Sequence, residues 1–138
     1  MKTIVKRSIA AETARRLIDA GEIAANQIGV PMVIAIVDES GILKAFTRMD
    51  GAALLSVDMA QDKAYTAVSF GMATHEWFEF VKSDLPLLHG IIKTPRLIVF
   101  GGGYPVKIDG EVIGGIGVSG GHYDQDMKVA QAALRALE

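Results

Sequence analysis

Residues 101–121 read GGGYPVKIDGEVIGGIGVSGG, and this stretch decides the fold. Nine of its twenty-one residues are glycine. Two alternating apolar runs, Tyr104–Ile108 and Glu111–Val118, are joined by Asp109 and Gly110. An Asp-Gly pair between such runs is typical of a tight hairpin, because both central residues of the turn need a positive φ. Glycine inside a strand indicates the close approach of another backbone or of a ligand. The stretch therefore predicts a β-hairpin with open backbone around it.

The hydrophobic pattern of the remaining chain predicts helices and three further strands. The strands are expected at residues 32–37, 42–48 and 97–100, and the helices at 8–28, 57–70, 74–81 and 124–137. Residues 82–95 contain two prolines and are predicted to be irregular. We therefore predict an α/β (α+β) fold in one domain of residues 1–138. Its core is a five-stranded antiparallel sheet flanked by helices, in a profilin-like α/β/α arrangement.

Composition excludes several classes of function. The net charge is −2 and the pI about 5.9, so nothing favours nucleic-acid binding. The chain has no cysteine, which excludes disulfides and thiol catalysis. No apolar run is long enough for a membrane span and no secretion signal is evident, so we expect a cytoplasmic protein. The mean hydropathy of +0.30 is high for a small domain, and it predicts that apolar surface is buried in a homo-oligomer.

The three histidines are His75, His89 and His122. His122 follows two glycines just before the last predicted helix, where it is either a ligand or acid–base group, or an exposed loop histidine. His75 and His89 are interpreted as structural or surface residues. No two histidines have the spacing of a helical metal site, so no metal centre built from protein ligands alone is predicted.

Three further features are candidates for binding an anion. Arg48 ends the second predicted strand, where it can clamp a carboxylate or orient its loop through an ion pair with Asp50. Lys63 lies at the edge of a buried helix face, so it either binds an anion, transfers a proton, reaches solvent or pairs with an aspartate. The amides of Gly101, Gly102 and Gly103 can bind an oxyanion, or the glycines form a bulge. Neither a Rossmann fingerprint nor a P-loop is present.

Several segments taken together resemble the GlcG/HbpS-like family, also called the haem-degrading domain family, and the C-terminal domain of PduO-type proteins. They are IGVP at 28–31, IVDESGILKAFTRMDGA at 36–52, Lys63 with Ala64, the glycine-rich stretch, and Asp126 followed by AQAAL. The resemblance covers nearly the whole chain. It implies the fold described above, a homo-oligomer from dimer to octamer, and in some members a role in binding or degrading haem.

Two functions remain open. The first is binding of haem or a related tetrapyrrole, in which a histidine, with His122 favoured, supplies the axial donor and Arg48 holds a propionate. The alternative is an enzyme acting on a small organic acid, of tautomerase, hydratase or deaminase type. There Arg48 holds the carboxylate, the amides of Gly101–Gly103 polarise a carbonyl, and His122 or Lys63 moves the proton. We expect these groups to meet in one pocket, either within one chain or across a subunit boundary; an accessory or sensor domain is a third possibility.

Overall fold

The centre of the computed structural model, which describes residues 1–138, is one antiparallel sheet. Its strands are β1 (Val33–Asp38), β2 (Leu43–Arg48), β3 (Gly103–Ile108) and β4 (Glu111–Ser119). They lie in the order β2-β1-β4-β3, so each hairpin forms one half of the sheet and β1 pairs with β4 in the middle. The carboxyl ends of β2 and β4 therefore lie at the same end of the sheet as the amino ends of β1 and β3.

Helices cover both faces of this sheet. They are α1 (Ala11–Ile28), α2 (Ser56–Phe70), α3 (Glu76–Val81), α4 (Leu85–Gly90) and α5 (Tyr123–Arg135), with one 3₁₀ turn at Ile91–Lys93. Helix α2 packs on one face, and α1 and α5 pack together on the other. The predicted α+β class with helices on both faces is confirmed. No helix combines the length and the apolar character needed to cross a membrane.

Strand β1 is buried on both faces because it lies in the middle of the sheet, between the two helical layers. Ile34 and Ile36 belong to the main core on the side of α1 and α5. Val33 and Ala35 face the other way and pack with Ala60 of α2. A strand covered on both faces reads as a continuous apolar run instead of an alternating one, as this segment does.

Two of the three glycines of β4, Gly115 and Gly117, are explained by the helix backbone above them. A Cβ on Gly117 would overlap the carbonyl oxygen of Ala60, and one on Gly115 would lie 2.8 Å from that of Ala64. Because α2 presents alanines to the strand, its backbone comes within van der Waals distance of the sheet. The close approach predicted for this stretch is therefore made by another backbone and not by a ligand.

The turn between β3 and β4 is the predicted one. Asp109 has φ 51° and Gly110 has φ 79°, so both central residues have the positive φ of a type I′ hairpin turn. The turn between β1 and β2 also lies where predicted. There the Asp38 carboxylate accepts hydrogen bonds from the amides of Ser40 (2.9 Å) and Ile42 (3.0 Å).

The predicted fifth strand is wrong: the sheet has four strands, and residues 97–100 pair with none of them. The amide of Ile98 donates to the hydroxyl of Thr66 on α2 (3.0 Å), and that hydroxyl donates to the carbonyl of Arg96 (2.9 Å). A helix side chain thus takes the hydrogen bonds that a neighbouring strand would have made. The segment is extended and apolar, as its composition predicts, but it runs along α2.

Two helix boundaries and one loop also differ from expectation. The first helix begins at Ala11 instead of residue 8, because the amide of Ile9 donates to the carbonyl of Ile113 (2.9 Å) and continues the sheet beyond β1. Helix α3 begins at Glu76 instead of residue 74. Residues 82–95, predicted to be irregular, contain α4, whose first turn is capped by the Asp84 carboxylate accepting from the Leu87 amide (3.2 Å).

Candidate functional site

Gly102 and Gly103, at the start of β3, make room for Lys63. A Cβ on Gly102 would lie 2.7 Å from the Lys63 Nζ, and one on Gly103 would lie 2.5 Å from the Lys63 carbonyl oxygen. Gly102 also has φ 124°, which favours glycine. The Gly103 amide donates to the Thr74 hydroxyl (2.9 Å), so it is not available to an oxyanion in this arrangement. The observed role of this glycine segment is to let a lysine pass beneath it.

Lys63 ends in a buried ion pair. Its Nζ donates to the Asp126 Oδ2 (2.8 Å) and to the Val118 carbonyl (2.9 Å), and it lies 5.3 Å from the centre of the Phe100 ring. The other carboxylate oxygen of Asp126 accepts from the Gly121 amide (3.1 Å). Lys63 is 1% exposed and Asp126 2%. Of the alternatives weighed for Lys63, the structure shows pairing with an aspartate.

Burial opposes the charge of both partners. It lowers the pKa of Lys63 and raises the pKa of Asp126, while the charge of each partner offsets part of that shift in the other. The Lys63 ammonium donates two hydrogen bonds and the Asp126 carboxylate accepts two, so the pair fastens α2 to α5 across the end of β4. An external anion would have to replace Asp126 to reach Lys63.

His122 is the N-cap of α5. Its Nδ1 accepts a hydrogen bond from the Asp124 amide (3.2 Å), and its own amide donates to the Gln125 side chain (3.1 Å). The ring is exposed and stacks on Tyr123 with centroids 4.0 Å apart. A neutral imidazole that accepts at Nδ1 carries its proton on Nε2, so ligation of a metal through Nε2 competes with the cap.

Arg48 lies at a different place on the surface. It lines an open cavity of about 540 Å³ between α1 and the end of β2, together with Glu22, Asn26, Thr47 and Asp50. The ion pair with Asp50 is not formed, since the lysines and arginines with an ion-pair partner are Lys6, Arg7, Lys63, Lys82 and Arg96. Within one subunit, the structure does not bring Arg48 into a common cavity with Lys63 or His122.

A second cavity, of about 390 Å³, is apolar and has one imidazole in its wall. Its lining consists of His75, Phe78, Val99, Phe100, Gly101 and Tyr123. The walls come from α3, from the segment before β3 and from the first turn of α5, which meet at one end of the sheet. Phe100 separates this cavity from the buried Nζ of Lys63, and Tyr123 separates it from His122. It combines several aromatic rings with a histidine, which the cavity beside Arg48 does not.

His75 is the site residue that sequence reasoning missed. It was interpreted as structural or surface, yet it lines the aromatic cavity, and its Nδ1 is buried without a hydrogen-bond partner. His89 is exposed on α4 and lines neither of the two cavities just described. The sequence contained one clue to the position of His75: Phe78 follows it by three residues and therefore lies on the same face of a helix. The partners at 99–101 and 123 come from distant parts of the chain, which periodicity does not reveal.

The fold defines the class of this protein: an α+β domain built on a four-stranded antiparallel sheet with helices on both faces. Within that class, the chain belongs to the HbpS-like family, because residues 9–135 match the family described as haem degrading protein HbpS-like. The resemblance predicted from the sequence is confirmed.

Three relatives illustrate this membership. An uncharacterized 15.0 kDa protein from the dhaT-dhaS intergenic region of Citrobacter freundii is 40% identical over 129 residues, which cover 92% of this chain and 90% of that protein. The corrinoid adenosyltransferase PduO of Salmonella typhimurium is 42% identical over 115 residues, 82% of this chain, but the match spans only 34% of PduO. The crystal structure of the PduOC:heme complex superposes with a TM-score of 0.86 at 38% identity and covers 94% of each chain.

Proposed function

We propose that this protein binds haem or a related tetrapyrrole in the aromatic cavity beside His75. The observation that carries the proposal is an apolar cavity of about 390 Å³ with a single imidazole in its wall. Ligand cavities of a few hundred Å³ that are mostly apolar, with a small number of placed polar groups, are typical of cofactor sites. The relative whose crystal structure is a haem complex supports the choice of ligand.

The residues present fit the chemistry of a haem. Histidine is the commonest axial donor to haem iron, and it usually ligates through one nitrogen while the other is held by the protein. In His75 the Nδ1 is buried, so Nε2 is the nitrogen left to ligate. Phe78, Phe100 and Tyr123 supply aromatic surface for a macrocycle. A bound haem would bring the redox and oxygen chemistry of its iron, while the chain holds, orients and partly desolvates it.

A variant of His75 can distinguish ligation of the haem iron by this histidine from stacking of the macrocycle on the aromatic side chains. We expect His75→Ala to lose the Soret shift of added hemin and to lower hemin affinity at least tenfold, while metal-free protoporphyrin IX still binds. His89→Ala is the matched control, because that histidine is exposed on α4. Binding of hemin by wild type that is no tighter than by an unrelated apolar protein contradicts the proposal. Equal hemin binding by wild type and His75→Ala contradicts the assignment of His75.

A homo-oligomer belongs to the same proposal. Large apolar side chains are exposed beside the cavity on α3 and α4, among them Phe80 (66%) and Leu85 (63%). Such a cluster is typical of a surface that a second subunit covers. Light scattering is expected to give a multiple of the 14.7 kDa chain mass, reduced in Phe80→Glu and unchanged in Ile23→Glu on the far side of α1. A monomeric wild type contradicts this part of the proposal.

Binding of a small carboxylate is a second candidate, carried by Arg48. Its guanidinium has no ion-pair partner, and the larger cavity that it lines also contains the neutral groups of Asn26 and Thr47 and the carboxylates of Glu22 and Asp50. The acid–base groups first assigned to such a reaction, Lys63 and His122, lie outside that cavity, so the arrangement favours binding over turnover. We expect small oxo-acids to raise the melting temperature of wild type but not of Arg48→Gln. No stabilisation of wild type by any acid of the panel contradicts this candidate.

A further inference from the structure

Two buried polar atoms without partners lie next to each other in the wall behind the cavity. The Nδ1 of His75 and the hydroxyl of Tyr104 are both inaccessible to solvent, and neither makes a hydrogen bond. Their rings are 5.7 Å apart, inclined at 53°. Buried donors and acceptors in folded proteins are nearly always paired, so two unpaired atoms on adjacent rings point to a hydrogen bond between them that rotation of the two side chains forms, with or without a ligand.

The backbone fixes the two rings beside each other. The Thr74 amide donates to the Gly103 carbonyl (2.9 Å), and the Gly103 amide donates back to the Thr74 hydroxyl (2.9 Å). His75 and Tyr104 are the next residues after this doubly bonded pair. Their main chains are therefore held in register, and only side-chain torsions separate His75 Nδ1 from the Tyr104 hydroxyl.

Hydrogen-bond chemistry makes the two atoms complementary in one tautomer of His75. A neutral imidazole protonated at Nδ1 donates there and leaves a lone pair on Nε2. The Tyr104 hydroxyl can accept that hydrogen bond and direct its own proton toward the nearby side chain of Gln131. The opposite tautomer, protonated at Nε2, has its lone pair on the buried Nδ1 and leaves none on Nε2 for a metal.

We propose that Tyr104 is a positioning residue for His75: its hydroxyl accepts a hydrogen bond from Nδ1–H, which selects the tautomer and ring orientation in which Nε2 ligates iron. The inference rests on the proposed haem site. Outer hydrogen bonds of this kind orient ligating histidines, raise their basicity, and typically change metal affinity 10–100-fold when removed. Tyr104 itself touches neither the iron nor the cavity lining.

Tyr104→Phe removes only the hydroxyl and keeps the ring. We expect it to fold normally, because the ring that fills the space is kept and only one hydrogen-bonding group is lost. In the complex, hemin affinity is expected to fall about tenfold. The midpoint potential of the bound iron is expected to rise, since a less basic imidazole stabilises Fe(III) less. Without any ligand, ¹⁵N–¹H correlation of His75 at pH 8 is expected to show a shift from the Nδ1–H toward the Nε2–H tautomer.

Tyr65→Phe is the matched control, since Tyr65 lies on α2 beside Arg96 and away from the cavity. It is expected to leave affinity, potential and tautomer unchanged. If Tyr104→Phe also leaves all three unchanged while His75→Ala abolishes hemin ligation, the positioning role is overturned and the haem site stands. If wild type and His75→Ala bind hemin alike, the haem site fails, and the tautomer measurement on the ligand-free protein still decides whether Tyr104 pairs with His75.

Discussion

Lys63 and Asp126 form an ion pair, 2.8 Å long and almost fully buried, that joins the helices on opposite faces of the sheet. The pair closes the end of the sheet between β3 and β4, directly behind the aromatic cavity. Gly102 supplies the space for it, and Phe100 covers it on the cavity side. The integrity of the candidate site therefore depends on a contact between residues 63 positions apart in the chain.

Breaking this pair from one side is expected to be costly. Lys63→Met leaves the Asp126 carboxylate buried without its cation and should lower the free energy of unfolding by about 3–5 kcal/mol. The double variant Lys63→Met/Asp126→Leu removes both charges and should recover most of that loss. Urea denaturation measures both effects.

Lys82→Ala, which breaks an exposed pair with Glu79, is the control and should change stability by less than about 0.5 kcal/mol. A Lys63→Met variant as stable as wild type contradicts the structural role of the pair.

The same pair predicts a pH dependence of stability. Burial raises the pKa of Asp126 above its ordinary 3.8, so the native state holds that proton more tightly than the unfolded chain. The contribution of Asp126 is therefore fully present below pH 3.8 and is lost as pH rises through the raised value.

Lys63 predicts the opposite trend at high pH. Burial lowers its pKa below 10.5, so its contribution is present above pH 10.5 and is lost as pH falls through the lowered value. The urea midpoint of wild type minus that of Lys63→Met/Asp126→Leu should then be lowest near neutral pH. This difference should rise toward both acidic and alkaline pH. A difference that is flat between pH 4 and pH 10 is the outcome that would rule this out.

Gly117 is expected to tolerate no side chain. A Cβ there overlaps the carbonyl oxygen of Ala60, so α2 must move away from the sheet. Gly117→Ala should lower the free energy of unfolding by about 1–3 kcal/mol or more, because the added methyl group overpacks the contact between α2 and β4. Gly90→Ala is the control, because Gly90 has no atom within 4 Å of its would-be Cβ. That change should be neutral or stabilise by about 0.5 kcal/mol. Equal melting temperatures for the two variants would contradict the packing of α2 on β4.

His122 is expected to act in stability more than in binding. His122→Ala removes the cap of α5 and should cost about 1 kcal/mol in unfolding experiments. His122→Asn restores a side chain that caps well and should recover the loss. Both variants are expected to bind hemin as wild type does. A loss of the Soret shift in His122→Asn, with its stability intact, would instead identify His122 as a ligand.

Local sequence patterns were sufficient for most of the secondary structure. The Asp109-Gly110 turn, both hairpins and the helices α1, α2 and α5 follow from residues that are neighbours in the chain. The fifth strand failed for a tertiary reason: residues 97–100 have strand composition, but the Thr66 hydroxyl takes the Ile98 amide. Propensity cannot distinguish an extended segment beside a helix from one in a sheet.

The candidate site was harder to predict from local sequence patterns. Arg48, Lys63, His122 and Gly101–Gly103 were expected to share one pocket. The fold instead gives Lys63 a buried partner, uses His122 as a helix cap, and places Arg48 in a separate cavity. His75 was passed over because its cavity partners other than Phe78 lie 24 to 48 positions further along the chain.

By itself, the glycine-rich stretch at 101–121 determined a hairpin, because positive φ at an Asp-Gly turn and alternation of apolar residues are local properties. What its glycines approach was decided only by the tertiary structure. Gly115 and Gly117 admit the backbone of α2, and Gly102 admits the Lys63 ammonium. The physical reason is that a close approach involves two segments of the chain. The sequence around the glycines describes only one of these segments and does not show which other segment packs against it.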